Sequence, residues 1–509
     1  MKKMIFTVGA LMCGAMIFAQ SNVSDVNQSG SGNSADVSQV GTLNNSDVDQ
    51  FGTSNDAAVD QEGANNTATT YQNGTSQSSE IDQSGERNAY RTTQLGSGNT
   101  STASQTGNDN WGGPPINTWG TLQNGQDNES TTTVTGNNNG TATYQLGNDN
   151  SASITQIGND NIATRLTYLD WGILQFGNNN NADINQNGDA NRGSIEQQGN
   201  QNTGFSQQLG NTNFSDTDQF GDGNFSDTFQ WGNSNSSSVL QDGNSNFSDV
   251  DQWGNNNLST SAQTGDDNIQ YTHQGVFGDS NTSATIQTGN NNLAHTDQYG
   301  RFSGGASNNS QSTITQVGDL NDAFTLQQGD FNGSNVWQYG TNNDSDVLQT
   351  GNGNFSYNYQ GAPFDAITAS SDNNTSSVTQ TGNNNWNGTD QYTPVGDGSD
   401  FNSSAVVQTG DRNYSFTAQF DDNHVSTVDQ IGDDNRSEVR QSGDANNSDV
   451  DQTGDGNTSI VSQNGMTNVS TVLQNGMMNM STVSQTGSTH MSMVNQVGSS
   501  NTSTVTQSN

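Results

Sequence analysis

The side chains of this sequence that could perform chemistry fall into three groups, and only one of them recurs with a fixed spacing. The four histidines, His273, His295, His424 and His490, stand at no constant separation from any acid or hydroxyl. A catalytic triad needs nucleophile, base and acid held at set distances. With so many Ser and Asp residues, chance triads are easy to draw, so no enzymatic activity, no catalytic residue and no cofactor is expected. The one cysteine, Cys13, lies in an N-terminal apolar run, which leaves no Cys set for a zinc site, and no metal ligands are assigned. The acids Asp25, Asp47, Asp216, Asp218, Asp249 and Asp251 could offer oxygen ligands to weakly held Ca2+. Their spacing matches neither an EF-hand nor a glycine-rich calcium repeat, and a solvated acidic face is the simpler reading. The third group is the amides. Gln28, Gln39, Gln50 and Gln61 are eleven residues apart, with Asn33, Asn44 and Asn55 between them and Gly30, Gly41, Gly52 and Gly63 two residues after each Gln. Amides neither ionise nor attack; what they can do is donate and accept hydrogen bonds.

The elements that position these amides can be read from Asn44 to Gln61. Between Asn55 and Gln61, Asn55, Ala57, Val59 and Gln61 alternate with Asp56, Ala58 and Asp60, the period-two pattern of a strand with one buried face. Gly63 and its neighbours supply a turn, where glycine permits positive φ. The unit is a seven-residue strand and a four-residue arc.

Composition excludes a conventional core. Only 27% of the 509 residues are hydrophobic and mean hydropathy is -0.87. Such chains are often disordered, but a strict repeat can stack into a continuous narrow core. Lys2 and Lys3 precede the apolar run Met4 to Phe18, so residues 1–19 are expected to be a secretory signal peptide. Met12 before Cys13 argues against lipoprotein-type cleavage. Beyond it no lysine remains, and eight arginines face 51 acids. Nucleic acid is not an expected partner of so acidic a surface, and no second apolar segment suggests that the chain is embedded in a membrane.

Residues 20–509 read as one repeat domain of about forty units. The eleven-residue phase breaks at inserted loops near 108–120, 162–173, 275–280, 299–310, 361–374 and 392–401. All four prolines, Pro114, Pro115, Pro363 and Pro394, fall inside these inserts. Proline lacks the N–H that a strand ladder needs, so its confinement is independent support for hydrogen-bonded repeats. The expected fold is all-β: an amyloid-like β-solenoid of strand-arc-strand coils, two eleven-residue units per 22-residue coil, with successive coils in parallel register about 4.8 Å apart. Inward columns would be Asn, a small residue (Ala35, Ser46, Ala57, Ala68), a β-branched residue (Val37, Val48, Val59, Thr70) and Gln. Asp25 and Asp47 would stack on the outside, repelling by about 0.9 kcal/mol in water-like dielectric. Aromatics after the Gln, among them Phe51, Phe220, Trp231, Trp253, Tyr299 and Tyr339, are expected to cover the arc edges. A carbohydrate-binding stripe is the alternative for them. Met466, Met477 and Met478 are expected to pack.

The pattern Gln-x4-Asn-x5-Gln, with Gly two after the Gln, resembles the curlin repeat. Gln28-Asn33-Gln39, Gln50-Asn55-Gln61 and Gln241-Asn246-Gln252 carry it. Curlins are the secreted subunits of curli, the functional amyloid fibres of bacterial surfaces. The resemblance implies secretion through an outer-membrane export pore and self-association, alone or with other curli-like subunits, into extracellular fibres for cell adhesion and biofilm matrix. It also implies that the end coils matter most for nucleation: Gln28, Asn33 and Gln39 at one end, Gln496, Asn501 and Gln507 at the other. The chain is several times longer than a typical curlin, and Asn occupies both halves of each coil. The alternative is a monomeric β-solenoid adhesin whose inserted loops bind a ligand, with calcium optional.

Overall fold

Each strand bonds not to the next strand in sequence but to the one after it, one coil away. In the computed structural model, which describes residues 21–112, 120–163, 172–275, 278–299, 307–361, 372–392 and 399–509, Val23–Ser31 pairs in parallel with Asn45–Thr53 and sets Val26 against Val48 and Gln28 against Gln50. Ser34–Thr42 pairs likewise with Asp56–Ala64. Two parallel sheets result. The first runs from Val23–Ser31 to Thr502–Ser508, the second from Ser34–Thr42 to Met491–Ser499. The protein is an all-β parallel solenoid of about 20 turns with coils of about 22 residues. At parallel strand spacing this is a rod on the order of 100 Å long.

The expected signal peptide and most of the expected inserts lie outside the described residues, which omit 1–20, 113–119, 164–171, 276–277, 300–306, 362–371 and 393–398. Strand continues into their edges. Trp111–Gly112 and Thr121–Gln126 share one rung of the first sheet, and Ile162–Ala163 and Ile173–Phe176 share another. The phase resumes after each break: Gln94 faces Gln123 and Gln145 faces Gln175, while in the second sheet Gln105 faces Val134.

The core is a strip between the two sheets. Val378, Val406, Val428, Val439, Val450, Val461, Val472, Val483 and Val494 form one buried cluster. Other coils bring Ile154, Ile173, Ile184 and Ile195 together. One aromatic side chain enters the column of small residues. Tyr90 lies over Ala68 and is fully buried. Its ring fits because Gly112 and Gly120 leave room for it, and its hydroxyl reaches Thr121 Oγ1 (2.9 Å) and Thr132 Oγ1 (3.0 Å).

The arcs set the close approach of the coils. Gly52 sits at φ 117° and Ser54, two residues on, at φ 57°. A Cβ on Gly52 would collide with the carbonyl oxygen of Gly74 in the next coil. Glycine is needed there on both counts, conformation and contact. By contrast, the small-residue column holds Ser448, Ser459 and Ser470, whose buried hydroxyls have no hydrogen-bond partner. A buried hydroxyl without a partner opposes folding. Gly52→Ala is therefore expected to cost about 2–4 kcal/mol, whereas Ser459→Ala should be neutral or stabilising by up to about 1 kcal/mol. Thermal unfolding followed by circular dichroism distinguishes the two; equal losses would contradict this account of the arc and the column.

Candidate functional site

The repeated Gln side chains form two lines of hydrogen bonds along the rod, unbroken in the first sheet from Gln28 to Gln507 and interrupted in the second where Val134 stands between Gln105 and Gln156. Gln28 Nε2 donates to Gln50 Oε1 at 2.6 Å, Gln50 to Gln72 at 2.8 Å, and Gln39 to Gln61 at 2.8 Å. In mid-chain, Gln230 donates to Gln252 (2.8 Å), Gln241 to Gln263 (2.9 Å) and Gln252 to Gln274 (2.9 Å). At the far end Gln474 donates to Gln496 and Gln485 to Gln507, both at 2.8 Å. In the coils without an insert the Nε2 also donates to a backbone carbonyl sixteen residues earlier, as Gln50 does to Ser34 O (2.8 Å), and across inserts the separation is longer, as from Gln123 to Thr100 O (2.9 Å). Both amide protons and one oxygen lone pair are thus used inside the protein, which removes most of the cost of burying the amide. In the Gln column of both sheets the donor is the earlier residue, so the Gln lines have a direction.

The Asn column works differently from a side-chain ladder. Its oxygens mainly accept backbone N–H groups: Asn55 N donates to Asn33 Oδ1 (3.1 Å) and Asn66 N to Asn44 Oδ1 (3.0 Å). Asn55 Nδ2 donates to the carbonyls of Phe51 (3.2 Å) and Gly74 (3.3 Å), clamping the arc. Amide-to-amide bonds accompany this in some coils, as from Asn246 Nδ2 to Asn224 Oδ1 (3.2 Å). Here the later residue donates, opposite to the Gln lines. His424 occupies an Asn position. Its Nδ1 accepts from Asn446 N (3.2 Å) and its Nε2 bonds to Phe420 O (2.7 Å). That pattern requires a neutral ring, and burial pushes its pKa down.

The terminal coils are more exposed than the interior. Val23–Ser31 is exposed along its whole length, and Thr502–Ser508 alternates between exposed and half-buried. Gln28, Asn33 and Gln39 lie at one end, Gln496, Asn501 and Gln507 at the other. Among the described residues nothing donates to the Oε1 of Gln28 or Gln39. Among the described residues the Nε2 groups of Gln496 and Gln507 donate only to the carbonyls of Met480 (2.9 Å) and Met491 (3.0 Å).

The outer faces carry acids, aromatics and one mixed cluster. Asp25 stands against Asp47 and Asp227 against Asp249. Desolvation, with repulsion from neighbouring carboxylates second, raises the pKa of Asp47, Asp227, Asp249 and Asp451. Burial alone pushes Asp390 up to about 6. Aromatics stack from coil to coil: Phe51 on Tyr71 (5.8 Å between centroids), Trp231 on Trp253 (5.0 Å) and Trp386 on Tyr414 (4.5 Å). Met466, Met477 and Met478, expected to pack, are more than half exposed, at 54%, 51% and 70%. His273, His295 and Asp297 come together on the second sheet. A constant 22-residue phase sets His273 beside His295, but this coil has 24 residues, and the register places His273 against Asp297. The signal was available as the 24-residue gap from Gln274 to Gln298.

Fold and columns together define an amide-laddered parallel β-solenoid. The curlin associated repeat family matches residues 21–52, 30–63, 147–188, 432–465 and 460–487. Curlin repeats are thus present in these segments and support a curlin-repeat protein. No curated protein matches it. No helix of the described residues is long and apolar enough to cross a membrane.

Two titratable groups, the half-buried Asp390 and the buried His424, give opposite pH dependences. The raised pKa of Asp390 means the folded chain holds a proton that the unfolded chain has lost between about pH 4 and 6, so its contribution to stability falls as pH rises through that window. His424 has a lowered pKa, so its contribution is full above the ordinary histidine value near 6.5 and falls as pH drops below it. Asp390→Asn is expected to raise the thermal midpoint at pH 7, by up to about 3 kcal/mol equivalent, and to leave it little changed at pH 4. His424→Asn should raise it at pH 5 and not at pH 8. A shift independent of pH in either variant would contradict the assignment.

Proposed function

We propose that this protein is a secreted structural subunit of curli-like extracellular fibres, and that it assembles by adding coil to coil at its ends. The observation that carries this is the opposite direction of the two hydrogen-bonded columns. At the end holding Gln496, Gln507 and Asn501, the Gln side chains have N–H groups to give and Asn501 Oδ1 is placed to accept. At the end holding Gln28, Gln39 and Asn33, the Gln oxygens are placed to accept and the Asn33 N–H to donate. The next coil in either direction would continue bonds already repeated throughout the rod. Head-to-tail stacking therefore satisfies every column, while head-to-head stacking opposes donor to donor. A head-to-tail contact that does not close yields a filament, and uncovered parallel strand edges favour it. The curlin repeat supports the same reading, since its family is structural and extracellular. The dense negative charge would keep subunits apart before assembly. Adhesion and a biofilm matrix are the roles this implies, with export pore and companion subunits as the partners.

The mature chain, diluted from denaturant at neutral pH, is expected to form thioflavin-positive fibres with a meridional reflection near 4.7–4.8 Å. Substituting Gln28 and Gln39, or Gln496 and Gln507, with Ala should slow seeded elongation by about tenfold, as expected for about 1.4 kcal/mol lost at the growing end, without unfolding the monomer. A stable β-rich monomer that never elongates would instead favour the adhesin.

A further inference from the structure

The cluster on the outer face of the second sheet has a composition found nowhere else among the described residues: two imidazoles and a carboxylate converging on one point. His273 Nδ1 lies 2.7 Å from Asp297 Oδ1, and His295 Nε2 lies 3.0 Å from the same oxygen. The three ligand atoms fall within 4.8 Å of one another. We propose that His273, His295 and Asp297 bind a divalent transition-metal ion of the zinc–copper–nickel class, clipping two neighbouring coils together.

Four features of the site support this. The first is the donor set. Two imidazoles and one carboxylate suit borderline ions, whereas calcium and magnesium call for oxygen donors alone and Cu(I) for sulfur. The second is geometry. Bonds of about 2.1 Å place neighbouring ligand atoms about 3–3.5 Å apart around a metal, so only small ring movements separate the hydrogen-bonded triangle from a coordinating one. The third is support around the rings. The His273 and His295 rings meet edge to face at 5.4 Å and 84°, and His295 is edge-on to Phe324 at 5.1 Å and 85°. Tyr271 packs 5.4 Å from His295. Asp297 is 9% exposed, so its carboxylate is fixed in place, while the two histidine side chains are about one-third exposed, at 32% and 31%, and leave an approach from solvent. The fourth is field. Asp249 faces Tyr271 and Asp251 faces His273 in the preceding strand, and both carboxylates interact with the rings. A cation placed there meets net negative charge.

The three ligands come from two strands, Ile269–Gln274 and Leu293–Gln298. They bridge a coil lengthened to 24 residues. Three protein ligands leave positions open for water or for a donor from outside the chain.

The test uses the full mature chain, refolded and without a polyhistidine tag. Zn2+ is titrated in competition with a chromogenic chelator, and Cu2+ is examined by electron paramagnetic resonance. One Zn2+ per chain is expected. His273→Ala and His295→Ala should each weaken binding at least about tenfold, the scale on which even supporting residues of metal sites act. Asp297→Asn should also weaken it. The Cu2+ spectrum should show coupling to two imidazole nitrogens. His490→Ala, at an exposed position in the terminal coils, should change nothing. Circular dichroism confirms that each variant keeps its β signal, and His273→Gln and His295→Gln serve where an alanine variant does not refold. Absence of Zn2+ binding, binding unaltered by these substitutions, or binding lost on His490→Ala would overturn the assignment.

Discussion

The structure depends on one constraint: a Gln side chain can satisfy its amide in the interior only if another Gln stands one coil above and another one coil below. The 2.6–2.9 Å bonds that run from Gln28 to Gln50 and onward through Gln241 and Gln263 exist because successive coils of this sheet place their Gln in identical register. Any slip by one residue would turn the whole column outward, and slips by two would leave amides against valine. Buried amides without partners are costly, so the ladder specifies register more sharply than the narrow Val and Ile strip could. The glycine arcs serve the same requirement. Gly52 and its counterparts let consecutive coils come within hydrogen-bonding distance at the corner, where a side chain would hold them apart.

The fold was legible because this constraint is written at a fixed period. Gln eleven residues apart, Gly two after it and prolines confined to the breaks were enough to predict parallel coils of 22 residues, and the strand pairing follows that register, as with Gln28 on Gln50 and Gln39 on Gln61. Less was legible where partners are backbone atoms or where the period changes. The Asn oxygens accept main-chain N–H groups, a choice set by arc geometry that composition does not encode. His424 reads as an isolated histidine in sequence, yet it stands in for Asn because its two ring nitrogens reproduce one acceptor and one donor. His273 and Asp297 meet only because their coil is two residues longer than the regular 22-residue coil. Tyr90 fits its column only because Gly112 and Gly120 leave space.

Direction links these local features to assembly. The Gln columns donate toward higher residue numbers and the Asn columns accept from them, so the rod is polar and its ends are unlike. Acids crowd the outer faces, and several, such as Asp227 and Asp249, hold their protons more tightly than ordinary carboxylates because neighbours and burial oppose their charge. Side-to-side association is thereby discouraged while the ends remain able to pair. Charge and polarity together are what the proposed end-to-end assembly rests on.

The central claim is that the buried Gln amides are bonded to each other and not merely packed. Hydrogen exchange of Gln side-chain amide protons, followed by magnetic resonance on the folded chain, tests it most directly. The account predicts that the Nε2 protons of interior residues such as Gln241 and Gln252 exchange as slowly as the backbone amides of their own strands. Exchange at the rate of a free amide, with the strand backbone still protected, would contradict it.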